Sequence, residues 1–341
     1  MGQKSETSSE KPNSKISRRF GGLGIFKSSR NSSPLIALII IVLAGFVPLT
    51  VGANNQSILF QYVIYLVWIT LAESWNLIGG YANLINLGMG AFFGLGAIVT
   101  SVLLLAGMPF YPSMIIAGFV GVALALALTP TFRLKSDYFA IGSLVVPFVL
   151  KPIVEYFAKK SSFDMPFGVT LNSTEFYYAG LLMTGFAIFG IFFMMRSRIG
   201  MALRSIGDDE VAAASAGVNV LRFKMIALIV SGFIASVAGS YYLGILAAVN
   251  TSIFDDLTFS LFPAFMVIIG GIGTFEGPIV GSLLFSAVSF GAVVYFQGTN
   301  FEVLVFSIMI MFVAVVLPKG IIPTLRKLAR RIPFRRSTSN A

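Results

Sequence analysis

The chain is a succession of long apolar runs separated by short polar joints, and this pattern limits the folds open to it. A helix needs about 20 residues to cross the roughly 30 Å hydrocarbon core of a bilayer. Apolar runs of about that length fall at 35–51, 57–77, 88–106, 112–131, 138–157, 177–195, 223–249, 279–297 and 302–317, with a shorter one at 259–272. Of the 341 residues, 56% are hydrophobic and 11% are charged. A soluble domain carries about 25% charged residues, so one aqueous core cannot hide this much apolar surface. The expected fold class is all-α: a polytopic integral-membrane helical bundle of about ten transmembrane helices. Run 259–272 is too short for an upright span, so it is expected to be re-entrant or half of a broken helix. If it alone does not cross, the count drops to nine, and if a neighbour also does not, to eight.

Charge placement orients the bundle. Seven Lys/Arg lie in residues 1–33, five in 196–224 and seven from Lys319 onward, which is nineteen of the 24 basic residues. The positive-inside rule puts all three segments, and both termini, in the cytoplasm. An even span count satisfies this, with 158–176 and 250–256 outside and Arg133 and Lys135 inside; Lys159 and Lys160 are a mild exception. The chain then divides into a disordered basic tail at 1–33, a membrane domain at 34–317 interrupted by a cytoplasmic loop at 196–222, and a basic cytoplasmic tail at 318–341. No apolar stretch closely follows the start, so a cleaved signal peptide is not expected. The basic tails are expected to meet anionic membrane lipid.

The longest polar interruption is RSRIGMALRSIGDDEVAAASAGVNVLRFK, 196–224, with five basic residues and the acidic cluster Asp208, Asp209 and Glu210. VAAASAG has small, helix-compatible side chains, and Gly217 is a natural stop. The expectation is a short helix outside the bilayer offering a flat surface to another protein; the alternative is a solvated loop.

Several function classes drop out. Cysteine and histidine are absent, which removes the thiolate nucleophile, the commonest general base and the usual soft metal ligands. No catalytic residue, metal, cofactor or nucleic-acid partner is expected. No GxxxxGK[ST] occurs, so any ATP hydrolysis belongs to another chain. Glu73, Glu155 and Glu302 lie near the ends of spans, where snorkelling to an interface is expected; at mid-bilayer a carboxylate costs about 2.5–3.5 kcal/mol. No Asp/Glu/His relay crosses the membrane, which argues against proton-coupled transport.

The 34 glycines cluster. One group is Gly79, Gly80, Gly88, Gly90, Gly94 and Gly96; another is Gly270, Gly271, Gly273, Gly277 and Gly281. Both open with Ile-Gly-Gly, a hint of an internal repeat, and both contain GxxxG spacing that lets helices approach closely. Such breaks also line transport pathways. Asn76, Asn83, Asn86 and the run from Gly88 through Gly90 and Gly94 to Gly96, with Gly270, Gly271 and Gly273 opposite, are therefore either pathway-lining or engaged in helix–helix hydrogen bonds.

Four stretches carry a resemblance. NLIGGYANLINLGMGAFFGLGA, RLKSDYFAIGSLVV, RIGMALRSIGDDEVAAASAGVNVLRFKMIALIVSGFIASVA and FSLFPAFMVIIGGIGTFEGPIVGSLLF together resemble, in order, the branched-chain amino acid ABC importer permeases, LivM-like subunit. The resemblance implies pairing with a second, LivH-like permease, two ABC ATPase subunits and an extracytoplasmic solute-binding protein, in the plasma membrane of a prokaryote. It also implies that 208–217 is the coupling helix docking into the ATPase, with Arg204, Asp208, Asp209, Glu210, Ala212, Ala213 and Gly217 as its contact residues. The chain departs from the family at Leu84, Asn86 and Met89, where Gln, Ser and His are usual, at Ala214, usually acidic, and at Phe148, often Glu. Those departures bear on the solute, so urea, amides, peptides or sugars stay open. An ion-coupled carrier and a non-transporting scaffold are the competing classes.

Overall fold

The computed structural model describes residues 45, 56–133, 136–159, 162–164, 173–254, 258–295, 308, 311 and 320–331. The expected tail 1–33 lies outside the described residues, as do the run 35–51 apart from residue 45, the run 302–317 apart from residues 308 and 311, and Glu302.

In lipid a backbone must satisfy its own N–H and C=O groups, so the apolar runs become helices. In chain order the helices, which also include the polar α6, α7 and α11, are α1 (Gln56–Trp75), α2 (Met89–Leu105), α3 (Phe110–Leu128), α4 (Ser136–Ala158), α5 (Ser173–Arg196), α6 (Arg198–Asp208), α7 (Glu210–Ser215), α8 (Val220–Leu246), α9 (Thr258–Gly270), α10 (Gly277–Tyr295) and α11 (Ile321–Arg331). Five stretches among the described residues are long and apolar enough to cross a membrane: Leu59–Tyr81, Phe110–Phe132, Tyr138–Ala158, Thr174–Arg196 and Val220–Leu246. They coincide with five of the ten expected spans. Helices α2 and α9 are shorter, at 17 and 13 residues, which is about 25 and 20 Å at 1.5 Å per residue. The fold is thus a helical membrane bundle in which some apolar runs form partial-depth helices. The shortness of 259–272 is reproduced in α9.

α8 is the axis of the bundle and packs against α1, α2 and α3. Small residues allow this. A Cβ on Gly96 would land on the Ser236 carbonyl, and one on Gly239 on the Phe93 carbonyl. The Ser236 hydroxyl donates to the Phe92 carbonyl at 2.9 Å and the Ser240 hydroxyl to the Gly96 carbonyl at 3.0 Å. In contrast, α3 and α4 turn many large apolar side chains outward, among them Phe119, Leu126, Ile141, Val149 and Phe157, as lipid-facing helices do.

A short antiparallel ladder ties the loops at one end: β1 (Ser162–Asp164) pairs with β2 (Ala248–Asn250), Phe163 opposite Val249. Since α5 and α8 both run between this end and the stretch 196–219, the β ladder and that polar stretch occupy opposite ends of the bundle. The loops expected on one side, 158–176 and 250–256, do meet through this ladder. Glu155 accepts a hydrogen bond from the Thr251 hydroxyl at 2.5 Å there.

Glu73 is a correction. It does not snorkel to an interface; its side chain is fully buried in α1 and neither carboxylate oxygen has a hydrogen-bond partner. The helix continues past it for two more turns instead of ending, which carries the carboxylate into the protein interior.

Candidate functional site

Two places concentrate the residues singled out from the sequence, and they touch. The first is the polar stretch after α5. Ser197 starts α6 by accepting from the Ile199 amide at 3.2 Å, and Gly200, Leu203 and Ile206 bury one face of that helix. Asp208 ends α6. Asp209, in extended conformation, then caps α7, its Oδ1 accepting from the Val211 and Ala212 amides at 2.9 Å each. The helix stops where Gly217 takes φ +86°: the Gly217 amide donates to the Ala214 carbonyl and the Val218 amide to the Ala213 carbonyl, both at 3.0 Å, the paired bonds of a Schellman stop. The short helix expected over 208–217 is α7, set off from α6 by a sharp joint at Asp209, and only Glu210 of the acidic trio lies in its first turn. Met201, Arg204, Ser205, Asp208, Asp209, Ala212 and Ala213 line an open notch of about 460 Å³ between the two helices. Met201, in the notch, and Val211, beside it, are 63% and 76% exposed. Glu210 pairs with the buried Lys224 at 2.8 Å, pinning α7 to the second turn of α8.

The second place is the break after α1. The helix widens into a π turn over Asn76–Tyr81, a distortion that in proteins often marks functional sites. Asn76 is fully buried and bridges to the tip of the α9–α10 hairpin: its Oδ1 accepts from the Gly273 amide and its Nδ2 donates to the Thr274 carbonyl, both at 3.0 Å. A Cβ on Gly80 would press on the Gly273 amide, and one on Gly270 would meet the Gly277 carbonyl. Gly271 and Gly273 adopt φ +130° and +65°, open to glycine without a Cβ clash. Asn86 is buried, its Oδ1 accepting from the Gly88 amide at 2.9 Å ahead of α2. Gly90 gives its amide to Ser260 Oγ at 3.1 Å, and Gly94 packs on Ile253 and Phe254. Asn83 stands apart, exposed at φ +50°. Asn76 and Gly80 thus meet Gly273, while Asn86, Gly88, Gly90 and Gly94 follow along α2 toward α4 and α9. The polar side chains at Asn76 and Asn86 are occupied by helix-to-loop bonds.

What links the two places is Gly207, a residue that sequence reasoning passed over. A Cβ there would collide with the Tyr81 carbonyl, so α6 rests directly on the π turn. Arg204, one turn earlier, lies 5.9 Å from the Tyr81 ring centroid, at the outer limit of a cation–π contact. A glycine in an otherwise amphipathic helix was the available signal. Also missed was the Arg326–Glu276 pair at 2.6 Å, which holds the basic helix α11 beneath the hairpin tip.

A family profile described as "Branched-chain amino acid transport system / permease component" matches residues 56–314. The chain belongs to this family. Its five long apolar helices and this membership make it a multi-pass plasma-membrane protein. Among curated relatives, the high-affinity branched-chain amino acid transport system permease protein LivM of Salmonella typhimurium is 26% identical over 287 residues, and that of Escherichia coli is 24% identical over 287. Each alignment covers 73% of this chain and 66% of the relative, so the permease-family chain spans just under two thirds of their length. The guanosine ABC transporter permease protein NupQ of Bacillus subtilis is 26% identical over 84 residues, 25% of this chain and 26% of that protein. No solved structure matches the chain.

Proposed function

We propose that this chain is the membrane permease subunit of an ATP-driven importer for branched-chain amino acids or a related small polar solute. ATP is hydrolysed on a separate ABC subunit. A second, LivH-like permease completes the pathway and an extracytoplasmic binding protein delivers the solute. The observation that supports this best is the contact between α6 and the π turn: Gly207 lies against the Tyr81 carbonyl, while Arg204 and Asp208 on either side of it line the exposed notch.

In this reading α7 and the end of α6 dock in a groove of the ATPase. Arg204, Asp208 and Asp209 supply polar contacts, Ala212 and Ala213 allow close approach, and Met201 and Val211 bury apolar area. Rotation of α6 and α7 then pulls on the π turn and parts Asn76 from Gly273. Asn76, Asn83, Asn86, Gly88, Gly90 and Gly94, with Gly270, Gly271 and Gly273 across from them, line the pathway so opened. That the guanosine permease of Bacillus subtilis is a relative by sequence fits a shared mechanical scaffold with differing solutes.

The test is a reconstituted complex carrying Glu210→Ala or Gly217→Val. The first frees α7 from Lys224. The second puts a β-branched residue at φ +86°, a conformation that costs an ordinary residue about 1–2 kcal/mol. Both are expected to keep ATP hydrolysis while uptake falls several-fold. Wild-type uptake by both variants rejects the docking assignment.

A further inference from the structure

Glu73 is the one carboxylate among the described residues with no exposure and no partner on either oxygen, and the docking-and-opening scheme does not use it. Its surroundings narrow what it can bind. Ile69, Ile188 and Ile279 form a small apolar cluster around this level of α1, α5 and α10, with Phe275 and Leu283 against it. The charged or titratable groups in electrostatic reach are Glu276 and Tyr81; Glu276 is already held by Arg326. A metal ion is a poor candidate, since no group of three Asp, Glu, His or Cys exists among the described residues and hard cations take six or more oxygens. Three residues on, Asn76 shares the helix face of Glu73 and presents a carbonyl oxygen to Gly273, and the Thr274 carbonyl accepts from the same side chain. One carboxylate three residues from Asn76, at a point where two glycine-broken segments meet, matches a cation with a few N–H donors rather than a bare ion. An unpaired intramembrane carboxylate facing protein is by default a functional group awaiting its counter-charge.

We propose that Glu73 binds a primary ammonium group, the cationic end of the solute in transit, when Asn76 and the 271–276 tip part. This rests on the importer reading for the identity of the solute, though not for the cation site itself. The carboxylate is covered in the state described here, so the site forms only on opening; in that state the ammonium gains a charge-assisted bond in a low-dielectric setting.

The test uses the complete complex in lipid nanodiscs. Dicyclohexylcarbodiimide, an apolar carboxyl reagent, is applied during ATP turnover, and modification of Glu73 is read by peptide mass spectrometry. n-Butylammonium chloride is expected to lower that modification roughly tenfold, the scale of one hydrogen bond to a charged group. Tetramethylammonium chloride, which has charge but no N–H, should leave it unchanged. Equal modification with and without butylammonium overturns the proposal. In parallel, Glu73→Gln should lose ATP-driven leucine uptake by about the same factor, while Glu73→Asp retains part of it; leucine uptake by Glu73→Gln equal to wild type overturns it too. Protection by butylammonium in a wild-type complex that takes up no amino acid would retain the cation site and reject the importer's solute. Wild-type leucine uptake without protection would do the reverse.

Discussion

Gly239 and Gly96 carry the close crossing of α8 on α2, and neither tolerates a side chain without moving a backbone. A Cβ on Gly239 meets the Phe93 carbonyl and Cα, atoms that cannot rotate away. Gly239→Ala should therefore destabilise the protein by about 1–3 kcal/mol, the usual range for overpacking, seen as a lower midpoint in thermal unfolding in detergent. An unchanged midpoint would mean that α2 and α8 do not cross this closely. From the sequence, Gly90 and Gly94 were the visible pair, at GxxxG spacing. Spacing tells which residues share a helix face but not which neighbour that face meets. Gly90 and Gly94 turn out to face Ser260 and the Ile253–Phe254 turn, while α8 is met by Gly96. Glu73 shows the same limit in another form. Its position near a span end suggested an interface, yet the helix carried on through the π turn and kept it buried.

Helix α7 has six residues, and an isolated helix of that length does not persist in water. It holds because both ends are closed, by Asp209 at one and by the Gly217 stop at the other, and because Glu210 ties it to α8. Asp209→Ala should cost about 1 kcal/mol, typical for a lost N-cap. Amide exchange at Val211 and Ala212 should speed up while α8 stays protected; unchanged exchange would remove the cap from the account. The end of this element was legible in Gly217. Its beginning was not, because Asp-Asp-Glu reads equally well as a first turn or as a stop, a cap and a first residue. Packing of Leu203 and Ile206 extends α6 to Asp208 and so settles which.

At the scale of the whole molecule, the β1–β2 ladder at one end and the α6–α7 notch at the other give a polarity that charge counting assigned to outside and inside. With no native cysteine, single substitutions test it cleanly. A cysteine at Ser162 should react with a membrane-impermeant maleimide on intact cells, and one at Ser215 only after the cells are opened. Reaction of Ser215→Cys on intact cells would invert the protein and end the case for ATPase docking at the notch.

The apolar run lengths by themselves determined that this is a membrane-embedded helical protein, roughly where its longer helices lie and that 259–272 falls short of a span. Those are local consequences of a backbone that in lipid must bond to itself. The tertiary structure alone decided that Asn76 reaches Gly273, 197 residues away, that Gly207 sits against Tyr81, and that Glu73 lies inside unpaired. A helix pattern encodes which face is apolar or small, and leaves open which of many similar faces will cover it; that choice is made by the mutual fit of all the helices at once.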